Sequence, residues 1–166
     1  APQELQAPGQ FMTMLVEAGR LDRKVEGLPG AALVAELQQA GRGLTRPELA
    51  VLLAYGKLEL SDEIVDSRAP DDPFFVQTLE DYFPKEMAPY AAEMKKHRLR
   101  REIIATVLAN DMINKLGPTF PSRLKAAANA DTVALITAYE AAKRIFRLDE
   151  AWAATAALDL KVPAGV

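Results

Sequence analysis

Residues 44–55 read LTRPELAVLLAY, and this stretch decides the fold class. Thr45 and Glu48 have the spacing of a capping box, in which each side chain accepts a hydrogen bond from the other residue's backbone amide. Pro47 stands in the first turn, where its missing N–H costs no hydrogen bond. Apolar residues surround the predicted helix on nearly every side between 49 and 58, which places it at the centre of a core.

Helical signals continue on both sides of this stretch. Apolar spacing predicts helices over 11–18, 30–40 and 98–116, with 98–116 as the longest clean helix. Further start signals stand at Asp72-Pro73, Pro89, Pro121, Asp131 and Asp149. Leu135, Tyr139, Ala142 and Phe146 share one face of the helix that Asp131 begins. No segment alternates long enough to indicate a strand. We predict an all-α fold, a compact array of about seven to nine helices without a sheet.

The chain divides into three parts on the same signals. Residues 1–10 have a loose composition and are predicted to be a flexible N-terminal segment. Residues 11–160 form a single helical domain, which we interpret as a fragment of a larger enzyme, and residues 161–166 form a tail.

Charge and cysteine content narrow the possible partners. The chain has 20 basic and 23 acidic side chains, a net charge of −3, which gives no bulk reason to bind nucleic acid or an anionic membrane. The absence of cysteine excludes disulfides and thiolate zinc sites. No apolar run approaches the roughly 18 residues that a membrane span requires. We therefore expect a cytoplasmic protein without nucleic-acid or membrane partners.

Two spacings resemble enzyme motifs but lack their context. Gly41-x-Gly43-x-x-Arg46 lacks the preceding strand and third glycine of a dinucleotide site, so we interpret it as a helix end and turn. Tyr139-x-x-x-Lys143 has the short-chain dehydrogenase spacing, but no Gly-rich βαβ unit precedes it, which favours core packing. The acidic groups in 62–66 and 71–72 lack the geometry and further ligands of a metal site. We predict no catalytic, cofactor-binding or metal-binding residues.

The densest charge lies in a basic patch that precedes and enters the 98–116 helix. Its residues are Lys95, Lys96, His97, Arg98, Arg100 and Arg101. One interpretation is a site for an anionic ligand or partner, because guanidinium groups bind anions bidentately. The other is a solvated face paired with Glu93, Glu102 and neighbouring acids. Arginines at a helix start oppose the helix dipole, which suggests that they have partners, such as another domain or subunit.

Asn110, Asp111 and Asn114 interrupt the apolar 98–116 helix. The two asparagines continue the row formed by Leu99, Ile103 and Val107. Buried amides must be hydrogen-bonded, so we predict a buried polar network that holds a neighbouring loop, with 117–120 as the nearest candidate.

Several stretches together resemble the C-terminal region of the large bacterial NAD-specific glutamate dehydrogenases. They are 19–26 (GRLDRKVE), 41–55 (GRGLTRPELAVLLAY), 70–73 (PDDP), 82–84 (YFP), 97–106 (HRLRREIIAT), 108–111 (LAND) and 117–120 (GPTF). The likeness covers about residues 11–155, and strings as long as these are specific. No catalytic position of the family has a matching motif in this chain.

The resemblance implies a parent enzyme of amino-acid catabolism that oxidises L-glutamate to 2-oxoglutarate and ammonia with NAD. Its nucleotide-binding fold and catalytic residues would lie upstream, so NAD would bind the parent but not this segment. The segment would be a structural or regulatory domain that contacts the catalytic domain of the same chain, and the parent would be a homo-oligomer. The alternative is a free-standing helical module that binds an anionic ligand through the basic patch.

Overall fold

A computed structural model describes residues 2–159 and Lys161. The helices are α1 (Pro2–Glu17), α2 (Ala31–Gln39), α3 (Arg46–Asp66), α4 (Val76–Tyr82), α5 (Ala91–Met94), α6 (Arg100–Leu116), α7 (Phe120–Ala128), α8 (Thr132–Phe146) and α9 (Leu148–Ala156). Short 3₁₀ turns cover Ala69–Asp71, Pro73–Phe75 and Lys85–Tyr90. These described residues contain nine α-helices and no strand, which confirms the all-α prediction.

The first helix begins earlier than predicted, at Pro2 rather than at residue 11. Good helix formers dominate 2–7, and the helix continues through Pro8 although proline removes one backbone hydrogen bond. The division into 1–10, 11–160 and 161–166 remains a prediction. Apart from Lys161, the predicted tail lies outside the described residues.

The decisive helix α3 begins as the sequence predicts. The Thr45 amide donates to Glu48 Oε2 at 2.6 Å, and the Glu48 amide donates to Thr45 Oγ1 at 3.5 Å. Its buried face carries Leu52, Gly56, Leu60 and Ile64. The expected burial on nearly every side is wrong, because Leu49 and Leu58 are 40% and 56% exposed. Helix α3 is therefore central to the core along one face only.

Helix α3 joins two hydrophobic clusters. The first contains Phe11, Met12, Leu15, Leu21, Leu28, Val34 and Leu52, from α1, α2 and the start of α3. The second gathers the rest of α3 with α4, α6 and α8 around Phe75, Ile104, Met112 and Ile136. Arg101 contacts the end of α3 while Gly56 faces Pro118, so α3 and α6 run antiparallel.

Helix α6 differs from the prediction in its first residue and in its rank by length. It begins at Arg100, and α3, with 21 residues, is longer than its 17. The buried row is Ile104, Leu108 and Met112, whereas Leu99 is exposed. The helix ends at Gly117, whose φ of 85° favours glycine, as the sequence predicts.

The end of α8 also departs from the prediction. Leu135 and Tyr139 are buried as expected, but Phe146 on the same stripe is 70% exposed. Arg147 adopts a left-handed conformation with φ of 52° and turns the chain into α9 directly after Phe146. Because α8 ends at Phe146 and the chain turns there, most of the Phe146 side chain stays in contact with solvent.

Candidate functional site

Two of the three arginines of the basic patch, Arg100 and Arg101, are directed into the chain itself. Arg101 Nη2 donates to the carbonyl oxygens of Val65 at 2.6 Å and of Ser67 at 2.7 Å. These carbonyls lie at the end of α3, where helix geometry leaves acceptors without backbone donors. The negative end of the antiparallel α3 dipole therefore accounts for an arginine at the start of α6.

Asp71 completes this contact between α3 and α6. Arg100 Nη2 donates to Asp71 Oδ1 at 2.5 Å and Arg100 Nη1 to the Pro70 carbonyl at 3.2 Å, and Arg101 pairs with the other Asp71 oxygen. Hydrogen bonds from Arg100 and then Arg101 lower the pKa of Asp71. The two guanidinium groups thus join the start of α6 to the segment after α3, and the partners of Arg100 and Arg101 lie within the chain.

The remaining members of the basic patch divide into two groups. Lys95 pairs with Glu80 at 3.0 Å, and the His97 ring packs edge-on to Phe83 with centroids 6.0 Å apart. Lys96 and Arg98 are exposed and have no ion-pair partner within the described residues. The expected pairing with Glu93 and Glu102 is wrong; the ion-pair partners are Asp71 and Glu80, because the patch faces back toward the end of α3 and toward α4.

A second polar cluster surrounds Asp111. Asp111 Oδ2 accepts from the Tyr139 hydroxyl at 2.9 Å and from Lys143 Nζ at 2.7 Å. Lys143 also donates to the buried Glu140 at 3.1 Å, and only 12% of its side chain is exposed. The cluster ties the middle of α8 to α6.

Burial and pairing shift two pKa values in this cluster. Burial raises the pKa of Tyr139, and the hydrogen bond to Asp111 raises it further. Burial alone would lower the pKa of Lys143, but hydrogen bonds to Asp111 and Glu140 outweigh it and raise the pKa. A tyrosine that acts as a base requires a lowered pKa. The dehydrogenase-like spacing of Tyr139 and Lys143 therefore serves packing and pairing.

Of the three residues predicted to form a buried polar network, Asp111 alone has side-chain hydrogen-bond partners among the described residues, and these lie on α8 rather than in the 117–120 loop. Asp111 lies in the cluster just described, Asn110 is half-buried and Asn114 is exposed. The expected burial of Asn114 is wrong, because the buried arc of α6 also includes Ala105, Ala109 and Ile113, and at 100° per residue Asn114 lies opposite the centre of that whole arc. The sequence missed Tyr139, Glu140 and Lys143 as partners, since they are distant in the chain.

A cleft of about 480 Å³ opens beside the Asp111 cluster. Asp111, Glu140, Lys143, Arg144 and Tyr82 are among its lining residues. Its lysine is already paired, and Arg144 lies over the Phe74 ring at 4.2 Å. The charged side chains named here contact other residues of the chain, and they do not form the pair of nucleophile and adjacent base that covalent catalysis requires.

Four of the five acidic residues in 62–66 and 71–72 are likewise paired or serve as caps. Asp62 pairs with Arg20, and Glu63 accepts from Lys125 and from Thr132, the latter at 2.6 Å. Asp72 accepts from the Phe74 amide at 2.9 Å as a helix cap. Within 2–159 and 161, no three His, Cys, Asp or Glu side chains are grouped to hold a metal ion. None of the helices described there is long and apolar enough to cross a membrane.

Together these features define a helical scaffold domain whose polar clusters fasten its own helices. A family model described as "Glutamate dehydrogenase, C-terminal" matches residues 41–166. The chain belongs to this family of glutamate dehydrogenase C-terminal regions.

Individual relatives agree with the family assignment. The chain is 40% identical to an NAD-specific glutamate dehydrogenase of Halomonas elongata, with 95% of this chain covering 10% of that protein. It is 37% identical to the Pseudomonas aeruginosa protein of the same name over the same shares. It is 33% identical to the Mycobacterium tuberculosis protein, with 92% of the chain covering 9%. The chain thus spans about a tenth of each relative. No solved structure matches it.

Proposed function

We propose that this chain is the non-catalytic C-terminal helical domain of an NAD-dependent glutamate dehydrogenase. The observation that carries the proposal is the match along 95% of the chain to relatives that are about ten times longer. The parent would convert L-glutamate to 2-oxoglutarate and ammonia while reducing NAD. That chemistry would take place in the part of the parent that this chain does not cover.

The contacts of the domain support a structural role. Arg100 and Arg101 join α6 to the end of α3, and the Asp111 cluster joins α6 to α8. A rigid array of this kind presents a defined surface to a partner at little conformational cost. The partner in this proposal is the catalytic part of the same chain, within a cytoplasmic homo-oligomer. NAD binds that catalytic part.

The alternative of a free-standing anion-binding module gains no support from the basic patch. Its two most buried guanidinium groups already donate to backbone carbonyls and to Asp71. An anion that bound them would have to displace those contacts. Phosphate titrated into the chain at low salt is expected to produce no saturable heat.

Calorimetric titration of the chain with NAD tests the lead proposal. We expect no saturable binding and no NADH formation on addition of L-glutamate, whereas the full-length parent shows both. The parent in the same buffer is the control for active cofactor and substrate. Stoichiometric NAD binding by the isolated chain would overturn the assignment as a non-catalytic domain.

A further inference from the structure

Residues 82–99 run from the last residue of α4 through α5 to the residue before α6, and we name them the 82–99 excursion. Its base is closed by the contact between Phe83 and His97 and by the ion pair between Lys95 and Glu80. Met94 is buried, and Phe83 packs against the second hydrophobic cluster.

The outer surface of the 82–99 excursion is unusually apolar for a connection. Tyr82, Met87, Tyr90 and Leu99 are all exposed, and the two tyrosines are 57% and 56% exposed. Connecting segments in water are normally polar, and a group of exposed large apolar side chains marks an interaction surface. Tyrosine and methionine are also enriched in protein interfaces.

Two prolines restrict the backbone of the 82–99 excursion. Pro84 precedes the 3₁₀ turn at Lys85–Tyr90, and Pro89 lies inside that turn. Because proline fixes φ, these two positions lose less backbone entropy than other residues would when the segment binds a partner. Rigid aromatic side chains on a restricted backbone are typical of interface anchors.

The charge of the same surface indicates the kind of partner. The 82–99 excursion has four basic and two acidic side chains, whereas the whole chain has a net charge of −3. Lys85, Lys96 and Arg98 are exposed, and none has an ion-pair partner among the residues that the structure describes. An acidic surface with apolar pockets is complementary to this combination.

We infer that the 82–99 excursion docks onto an acidic, apolar-pocketed surface in the part of the parent enzyme that this chain does not cover. The inference rests on the proposed function, which supplies a covalently linked partner about nine times the length of this domain. A symmetric contact with a second copy is disfavoured, because it would bring together two surfaces that each have four basic and two acidic side chains.

Cysteine labelling of the full-length parent tests the docking directly. This domain has no cysteine, so Tyr90→Cys introduces its one thiol, and the labelled peptide that contains it is identified by mass spectrometry. Val25→Cys is the matched control, since Val25 is 78% exposed and lies outside the 82–99 excursion. We expect labelling at position 90 to be about tenfold slower than at position 25 in the native enzyme and equal after denaturation, because a docked side chain reacts only when the interface opens.

Charge reversal and cross-linking provide independent outcomes. Lys96→Glu with Arg98→Glu is expected to restore fast labelling at position 90, because it removes the electrostatic complement. In the unaltered enzyme, a zero-length carbodiimide is expected to join Lys85 or Lys96 to a carboxylate outside this domain. Equal labelling of the two native variants would overturn the inference, as would cross-links only to this domain of another subunit or no cross-link at all.

The same preparation separates this inference from the proposed function. NAD-dependent glutamate oxidation is measured on the unaltered parent before labelling. If that activity is absent, the proposed function fails while the labelling rates still report whether the 82–99 excursion is covered. If the activity is present and position 90 labels freely, the docking surface fails alone.

Discussion

The close approach of Gly56 to Pro118 gives the sharpest stability prediction. An added Cβ at Gly56 would lie 2.9 Å from the Pro118 Cβ and 3.1 Å from its Cα. Neither atom belongs to the far end of a flexible side chain, so the α6–α7 turn itself would have to move. The perturbation is Gly56→Ala, with Gly56→Val as a larger step in the same direction.

Two effects of opposite sign set the magnitude. Replacing a glycine inside a helix with alanine gains about 1 kcal/mol of helix propensity. Overfilling a packed contact costs about 1–3 kcal/mol. We expect Gly56→Ala to lower the free energy of unfolding by about 1 kcal/mol. Gly56→Val should lower it by about 3 kcal/mol, since it adds two further methyl groups and a less favourable helix former.

Urea unfolding followed by circular dichroism measures both changes. Gly9→Ala is the matched control, because Gly9 also lies in a helix but its added Cβ would meet only a Val34 methyl, at 3.2 Å. That variant should be neutral or stabilised by up to about 1 kcal/mol. A stabilisation of about 1 kcal/mol by Gly56→Ala would refute the packing argument, because it would show helix propensity without crowding.

Three further predictions concern the polar clusters. Arg101→Met should lower the free energy of unfolding by about 2 kcal/mol, because it leaves carbonyls at the end of α3 without donors. Arg98 is exposed, so Arg98→Met should change the free energy of unfolding by less than about 0.5 kcal/mol. Equal losses of the two variants in urea unfolding would contradict this. Because folding lowers the pKa of Asp71, its carboxylate stabilises the fold at pH values above its unfolded pKa, and this stabilisation is lost as pH falls through the folded pKa. The midpoint of thermal unfolding below pH 4 should therefore depend less on pH in Asp71→Asn than in the unaltered chain. Asp111→Asn should lower the pKa of Tyr139, read by ultraviolet titration of the tyrosinate; an unchanged Tyr139 titration would show that burial alone sets that pKa.

The sequence predicted best the features that depend on neighbouring residues. The Thr45–Glu48 capping box, the Asp72 and Asp131 caps and the Gly117 stop all involve residues close in the chain, and all are present. Such signals act over a single turn, so they can be identified without knowing the fold. They were enough for the fold class and for most helix positions.

Contacts across the fold could not be predicted in the same way. Arg101 is 36 residues from Val65, and Tyr139 is 28 residues from Asp111. The sequence suggested that the arginines had partners, because their charge opposed the dipole of their own helix, but it gave no direction to the end of α3. Periodicity likewise could not tell that Leu58 would face solvent, because burial depends on which neighbour covers a helix face.

The mass of the natural polypeptide that contains this sequence tests whether the chain is an accessory domain of a larger enzyme. An antibody raised against the chain, which has a mass of 18.1 kDa, is used to precipitate it from cells that express the natural gene. We predict a polypeptide about ten times that mass, together with NAD-dependent glutamate oxidation in the precipitate. A polypeptide of about the chain's own mass, or a large one without that activity, would contradict the assignment as an accessory domain of a glutamate dehydrogenase.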